Sequence, residues 1–116
     1  MKKKILFFFM VLLIGSIVTL SAQGGGFTGP GPKPVTVEQA KTFRDDTPVV
    51  LQGRILSYLG KEKYLFSDDS GTIIVEIDDR LWAGISVNEN DMVEIRGEVD
   101  RNLRKIEIEA DSIKKL

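Results

Sequence analysis

The 116-residue chain has no cysteine and no histidine. The first absence excludes a disulfide framework and thiol chemistry. The second removes a Ser-His-Asp triad, an imidazole metal ligand and a proton shuttle titrating near pH 7. Together they exclude structural zinc sites of the Cys/His type. No excess of one charge is present either: 16 Lys+Arg stand against 17 Asp+Glu, for a formal net charge of −1. Aromatic residues are sparse at 8%, with a single tryptophan. The length suits one domain. Such a chain reads as a binding module and not as an enzyme.

One long apolar run is present. Lys2, Lys3 and Lys4 precede Ile5–Leu20, and the small residues Ser21 and Ala22 follow. This three-part pattern predicts a signal peptide over residues 1–22, with cleavage after Ala22. The run holds Gly, Ser and Thr and is short of the ~20 apolar residues a membrane span needs, so no stable anchor is expected after cleavage. Loss of the three leader lysines takes Lys+Arg from 16 to 13 against 17 acids, a net charge of about −4. That balance offers no basic footprint for nucleic acid.

Residues 23–34 read QGGGFTGPGPKP and predict a flexible Gly/Pro-rich arm, with Phe27 its one apolar side chain. A helix is expected over 35–46, capped by Thr36 with Gln39 completing a capping box, and ended by Thr47-Pro48. From Pro48 the apolar period changes to two. Strands are predicted over 49–59, 63–67, 72–77, 92–100 and 105–110, with a short helix at Asp79–Ala83 closed by Gly84. Val49, Leu51, Gly53 and Ile55 share one face, as do Val93, Ile95, Gly97 and Val99. Glu94, Arg96, Glu98, Lys105, Glu107 and Glu109 fall on a solvated outer face. Gly53 and Gly97, both inward and mid-strand, predict sharp bends or bulges. Three strands, a helical connection and two more strands give an all-β, five-stranded Greek-key OB-fold barrel preceded by a helix, with the domain over 35–116.

Three stretches carry a resemblance: Gly25-Gly26-Phe27-Thr28-Gly29-Pro30, the run from Tyr64 to Trp82, and Arg96-Gly97-Glu98-Val99-Asp100. In combination the chain resembles the YgiW-like bacterial OB-fold (BOF) family of periplasmic stress-tolerance proteins. The resemblance implies an OB fold, a periplasmic location and a role in envelope or stress tolerance. Tyr64–Val75 is also similar to the strand-turn-strand of nucleic-acid-binding OB domains. Those often carry Leu-Arg-Asp where this chain has Phe66-Ser67-Asp68, and Ile74 stands where a polar base reader is common. The phosphate- and base-reading groups are missing, so the fold carries over and nucleic-acid binding does not.

Candidate functional residues follow from placement on the strands. Arg54, Tyr58 and Lys63, with Tyr64 beside them, are the expected ligand patch for an envelope glycan or a protein partner. By alternation Tyr64 and Phe66 point inward and Tyr58 lies on the opposite phase with Arg54. Trp82 is expected to plug the barrel end, with a ligand-stacking platform as the alternative. Asp68 is expected to close the turn that ends at Gly71. Glu94, Glu98, Glu107 and Glu109 are the alternative, a Ca²⁺-type site of oxygen ligands. A purely structural interaction module using an open strand edge or the Phe27 arm is a further alternative. No catalytic residue and no cofactor are predicted.

Overall fold

The computed structural model describes residues 31–116. The leader and the greater part of the arm, including Phe27, lie outside the described residues. Strand β1 (Pro34–Val35) leads into helix α1 (Val37–Ala40). Strands β2 (Pro48–Gly60), β3 (Lys63–Asp68) and β4 (Gly71–Glu76) follow, then a 3-10 turn at Asp79–Leu81, then β5 (Val93–Arg101) and β6 (Ile106–Lys115). Neighbouring strands run β1-β2-β3-β4-β6-β5, and a β2–β5 ladder closes the last five into a barrel. This is the five-stranded OB barrel that the strand order predicts. β1 runs parallel to β2, with Pro34 opposite Val50 and Val35 opposite Leu51.

The helix is shorter than the predicted 35–46. Its capping box forms as expected: Gln39 N–H donates to Thr36 Oγ1 at 3.0 Å, and Thr36 N–H donates to Gln39 Oε1 at 2.9 Å. After one turn the chain tightens into i→i+3 bonds, as Thr42 N–H reaches the Gln39 carbonyl at 2.9 Å. Thr42 Oγ1 donates to the same carbonyl at 2.7 Å, a local bond that competes with helix propagation. Asp68 fastens α1 to the barrel. It closes its own turn as predicted, accepting from Ser70 N–H at 2.8 Å and Gly71 N–H at 3.2 Å. It also accepts from Val37 N–H at 2.8 Å, satisfying an orphan donor of the first helical turn.

The inner face follows the alternation. Leu51, Phe66, Ile77, Val93, Ile95 and Ile108 are fully buried, and Val37 and Ala40 join the same core. Each such side chain contributes about 1.5–3 kcal/mol. Gly53 and Gly97 are required by close approach. A Cβ on Gly53 would stand 2.2 Å from the Ser67 carbonyl oxygen and 2.9 Å from the Phe66 ring. One on Gly97 would stand 2.2 Å from the Glu109 carbonyl oxygen. Gly53 is where β2 changes partner, leaving β5 after the Gly53–Val93 pair and joining β3 from Arg54 onward.

Two features differ from the sequence reading. β6 continues to Lys115, beyond the predicted end at Ala110, and buries Ile113. A register shift pairs Arg96 with Ser112 but Gly97 with Ala110, leaving Asp111 as an extra residue that interrupts the alternation. The outer face is also less solvated than expected. Glu94 and Glu107 are 7% and 6% exposed.

Candidate binding cleft

Beyond the Gly53–Val93 pair β2 leaves β5 and continues with β3 alone, and a cleft of about 440 Å³ opens there beside Ile55–Tyr58. A bulge in β2 decides what lines it. Ile55 pairs with Phe66 and Ser57 with Leu65, so Leu56 is the unpaired extra residue. The extra residue reverses the side-chain phase. Tyr58 therefore stands directly opposite Tyr64, on the inner face, and not on the Arg54 side as strict alternation predicted. Their ring centroids are 5.0 Å apart. Trp82 meets Tyr64 edge-on at 5.5 Å and 63°. These tilted contacts are favourable aromatic geometries.

Local bonds hold the row in place. Asp78 caps the 3-10 turn, accepting from Arg80 N–H at 2.9 Å. Glu62 in the β2–β3 turn accepts from Asp79 N–H at 2.7 Å, tying the hairpin tip to the segment that carries Trp82. Ala83 and Gly84, at φ 40° and 84°, reverse the chain, so that Ile85–Glu89 forms the opposite wall. Lys115, in the part of β6 beyond the predicted end, donates to the Ser86 carbonyl at 3.2 Å and pairs with Asp91 at 3.6 Å. Trp82 thus packs against the core on one side and walls the cleft on the other. Tyr58 is 61% exposed and offers an open ring face. Ser57, Ser86 and Asn88 add hydroxyl and amide groups, and Glu89 a carboxylate.

The expected ligand patch is divided. Tyr58 and Tyr64 share the cleft. Arg54 lies in a separate depression of about 280 Å³ with Asp68 and Asp69. Lys63 is on the outer face, where its Nζ donates to Glu107 at 3.0 and 3.2 Å. Ile85, Val87 and Glu89 complete the cleft unannounced by the sequence, because a loop without periodicity does not show what it faces.

The four candidate metal ligands do not converge. Burial pushes the Glu107 carboxyl up, but hydrogen bonds and charge from Lys63 and Lys105 outweigh it and hold the pKa below its ordinary value. Glu94 accepts from Gln52 at 3.0 Å and Arg96 at 3.1 Å, with Lys114 at 3.8 Å. The Gln52 bond, aided by the Lys114 and Arg96 charges, holds its pKa low against the effect of burial. Both acids are already neutralised. Glu98 and Glu109 instead face each other across β5 and β6, and Glu76 faces Glu109 from β4. Burial, then the charges of Glu76, Asp100, Glu98 and Asp111, raise the Glu109 pKa. Among the described residues no group of three or more acids is arranged to hold a metal ion.

Closed five-strand order, a helical connection and a side cleft define a small OB-fold protein. Residues 15–115 match the family model for bacterial OB fold (BOF) proteins. The chain belongs to that family. It is 46% identical to protein YgiW of Escherichia coli K12 over 119 residues, covering 91% of this chain and 92% of the relative. The solved structure of the E. coli protein superposes with a TM-score of 0.73 at 47% identity, over 79% of this chain and 99% of that one. The calcium-regulated OB-fold protein CarO of Pseudomonas aeruginosa is 45% identical over 98 residues, 81% of this chain and 82% of the relative. Telomere capping protein Ten1 from Saccharomyces pombe has a TM-score of 0.55 at 16% identity, over 73% of this chain and 81% of that one, a likeness of fold alone.

Proposed function

We propose that this protein is exported to the periplasm, where it acts as a non-catalytic binding module supporting envelope stress tolerance. It holds an envelope component, glycan or protein, in the Tyr58–Tyr64–Trp82 cleft. The observation that carries the reading is the aromatic row opening onto a 440 Å³ cleft with Tyr58 more than half exposed. Volumes of this order suit small ligands or a short stretch of polymer. The Lys2–Lys4 start and the apolar run after it support export. The four-acid cation reading has no comparable support, since Glu94 and Glu107 are spent on internal pairs.

Trp82 is the only tryptophan, so its fluorescence reports on the cleft directly. Titration of the protein with a peptidoglycan digest, containing both glycan strands and stem peptides, is expected to shift Trp82 emission. Tyr58→Ala is expected to weaken that response. Emission that stays unchanged, with amide shifts confined to other faces, refutes the cleft as the binding site. Recovery of the protein in the cytoplasmic fraction refutes export.

A further inference from the structure

β2 has 13 residues, and its two ladders cover different halves. β5 pairs with Pro48–Gly53, and β3 pairs with Arg54–Gly60. Among the described residues, no strand lies beside the side of β2 that had faced β5 from Arg54 onward. The chain leading into β5 turns away instead. Its Asn88–Asp91 turn bonds to itself, through Asp91 N–H to the Asn88 carbonyl at 3.0 Å and Asn88 N–H to Asp91 Oδ2 at 2.8 Å. The slot between this edge and the Ile85–Glu89 wall is the cleft. The edge is also apolar: Leu56, Tyr58 and Leu59 are 45%, 61% and 51% exposed. Uncovered edges pair with extended chains they meet unless charge, proline or bulges blunt them; here Arg54 and the Leu56 bulge limit the pairing, and the apolar side chains add contact beside it.

We propose that the unpaired edge of β2 from Arg54 to Leu59 binds an extended peptide segment, added as a further strand in the slot facing Ile85–Glu89. The proposal rests on the reading of the cleft as the binding site and names its ligand. Backbone groups on one edge of a regular strand repeat every two residues, about 6.6 Å; the Leu56 bulge interrupts that repeat once, so the added backbone pairs on either side of it, at Arg54-Ile55 and at Ser57-Tyr58. The aromatic row and Leu56 receive alternate apolar side chains of the segment. Charge sets the remaining requirement. Among the described residues, Glu89 is the only charged side chain lining the cleft, and it joins no ion pair. The segment therefore carries a lysine or arginine.

The test uses isotope-labelled protein purified from its producing cells and the capped hexapeptide Val-Thr-Val-Lys-Val-Thr. Amide shifts are expected at Arg54–Leu59 and Ser86–Glu89, with slowed hydrogen exchange along the β2 edge. Two N-methylated versions, blocking alternate backbone N–H groups, separate strand pairing from simple apolar contact. One set is expected to abolish binding and the other to leave it. Glu89→Gln is expected to weaken binding about two- to fivefold, the range of an exposed ion pair. A version with threonine in place of lysine should ignore that variant. No shift at millimolar peptide, or equal binding by both methylated sets, overturns the proposal. If glycan strands stripped of stem peptides move Trp82 while the hexapeptide does not, the strand-addition inference falls and the cleft reading stands. If neither moves it, both fall.

Discussion

Replacing Glu109 by Gln should stabilise the barrel at neutral pH. Glu76, Glu109 and Glu98 stand in one cross-strand row over β4, β6 and β5, and none of the three has a cationic partner among the described residues. The row crosses the β4–β6 seam, which has only three register pairs, Ile74–Glu107, Val75–Ile108 and Glu76–Glu109. Like charges directly opposite cost about 0.2–1 kcal/mol each. Glu109 makes two such oppositions, so Glu109→Gln should gain about 1 kcal/mol. For a domain of this size that is roughly 4–8 °C in Tm.

The pH dependence carries a sign that can be checked. The Glu109 pKa is raised, so the folded chain binds that proton more tightly than the unfolded chain. Its stabilising contribution is full below the ordinary value of 4.5 and is lost as pH rises through the folded value. Glu94, Glu107 and Asp68 run the other way. Their contributions are present above their ordinary values of 4.5, 4.5 and 3.8, and are lost as pH falls through the lowered folded values. Thermal unfolding followed by circular dichroism should therefore give a stability maximum at mildly acidic pH. In Glu109→Gln the limb between neutral pH and that maximum should flatten. The wild type should also gain more from 1 M salt, where the Debye length is about 3 Å. An unchanged or lowered Tm at pH 7 and low salt, or an equal gain at pH 4, refutes the account.

Gly53→Ala should destabilise by about 2 kcal/mol or more in urea unfolding, because its Cβ meets the Ser67 carbonyl oxygen at 2.2 Å, backbone that cannot swing aside. Lys63→Ala should cost about 1–3 kcal/mol by leaving the buried Glu107 with Lys105 alone at 3.3 Å, and adding Glu107→Gln should recover part of the loss. Asp68→Ala removes the bonds to Val37, Ser70 and Gly71. Protease sensitivity should then rise first over residues 41–47, with amide exchange at Val37 quickening well before global unfolding.

Alternation read along single strands was enough to place Leu51, Phe66, Val93, Ile95 and Ile108 in one core and to order the strands into a barrel. It marks a face, however, and not what covers that face. Glu94 and Glu107 point outward as their phase requires, yet Gln52 and Lys114 close over Glu94 from the two neighbouring strands, and Lys63 reaches Glu107 from β3, across β4. Those partners come from register, which a single strand does not display. The remaining departures are insertions into the period-two pattern. Asp111 hides the last five residues of β6, and Leu56 moves Tyr58 to the other face. The two bulges meet at the cleft. One delivers Tyr58 to Tyr64 and Trp82, and the other carries β6 on to Lys115, which holds the Ser86 carbonyl of the facing wall. A barrel built without either bulge would keep its core but lose the aromatic row and the clamp on its opposite wall. The break in pattern is therefore where function is expected. It also explains why the sequence shows the fold of this protein more readily than its binding site.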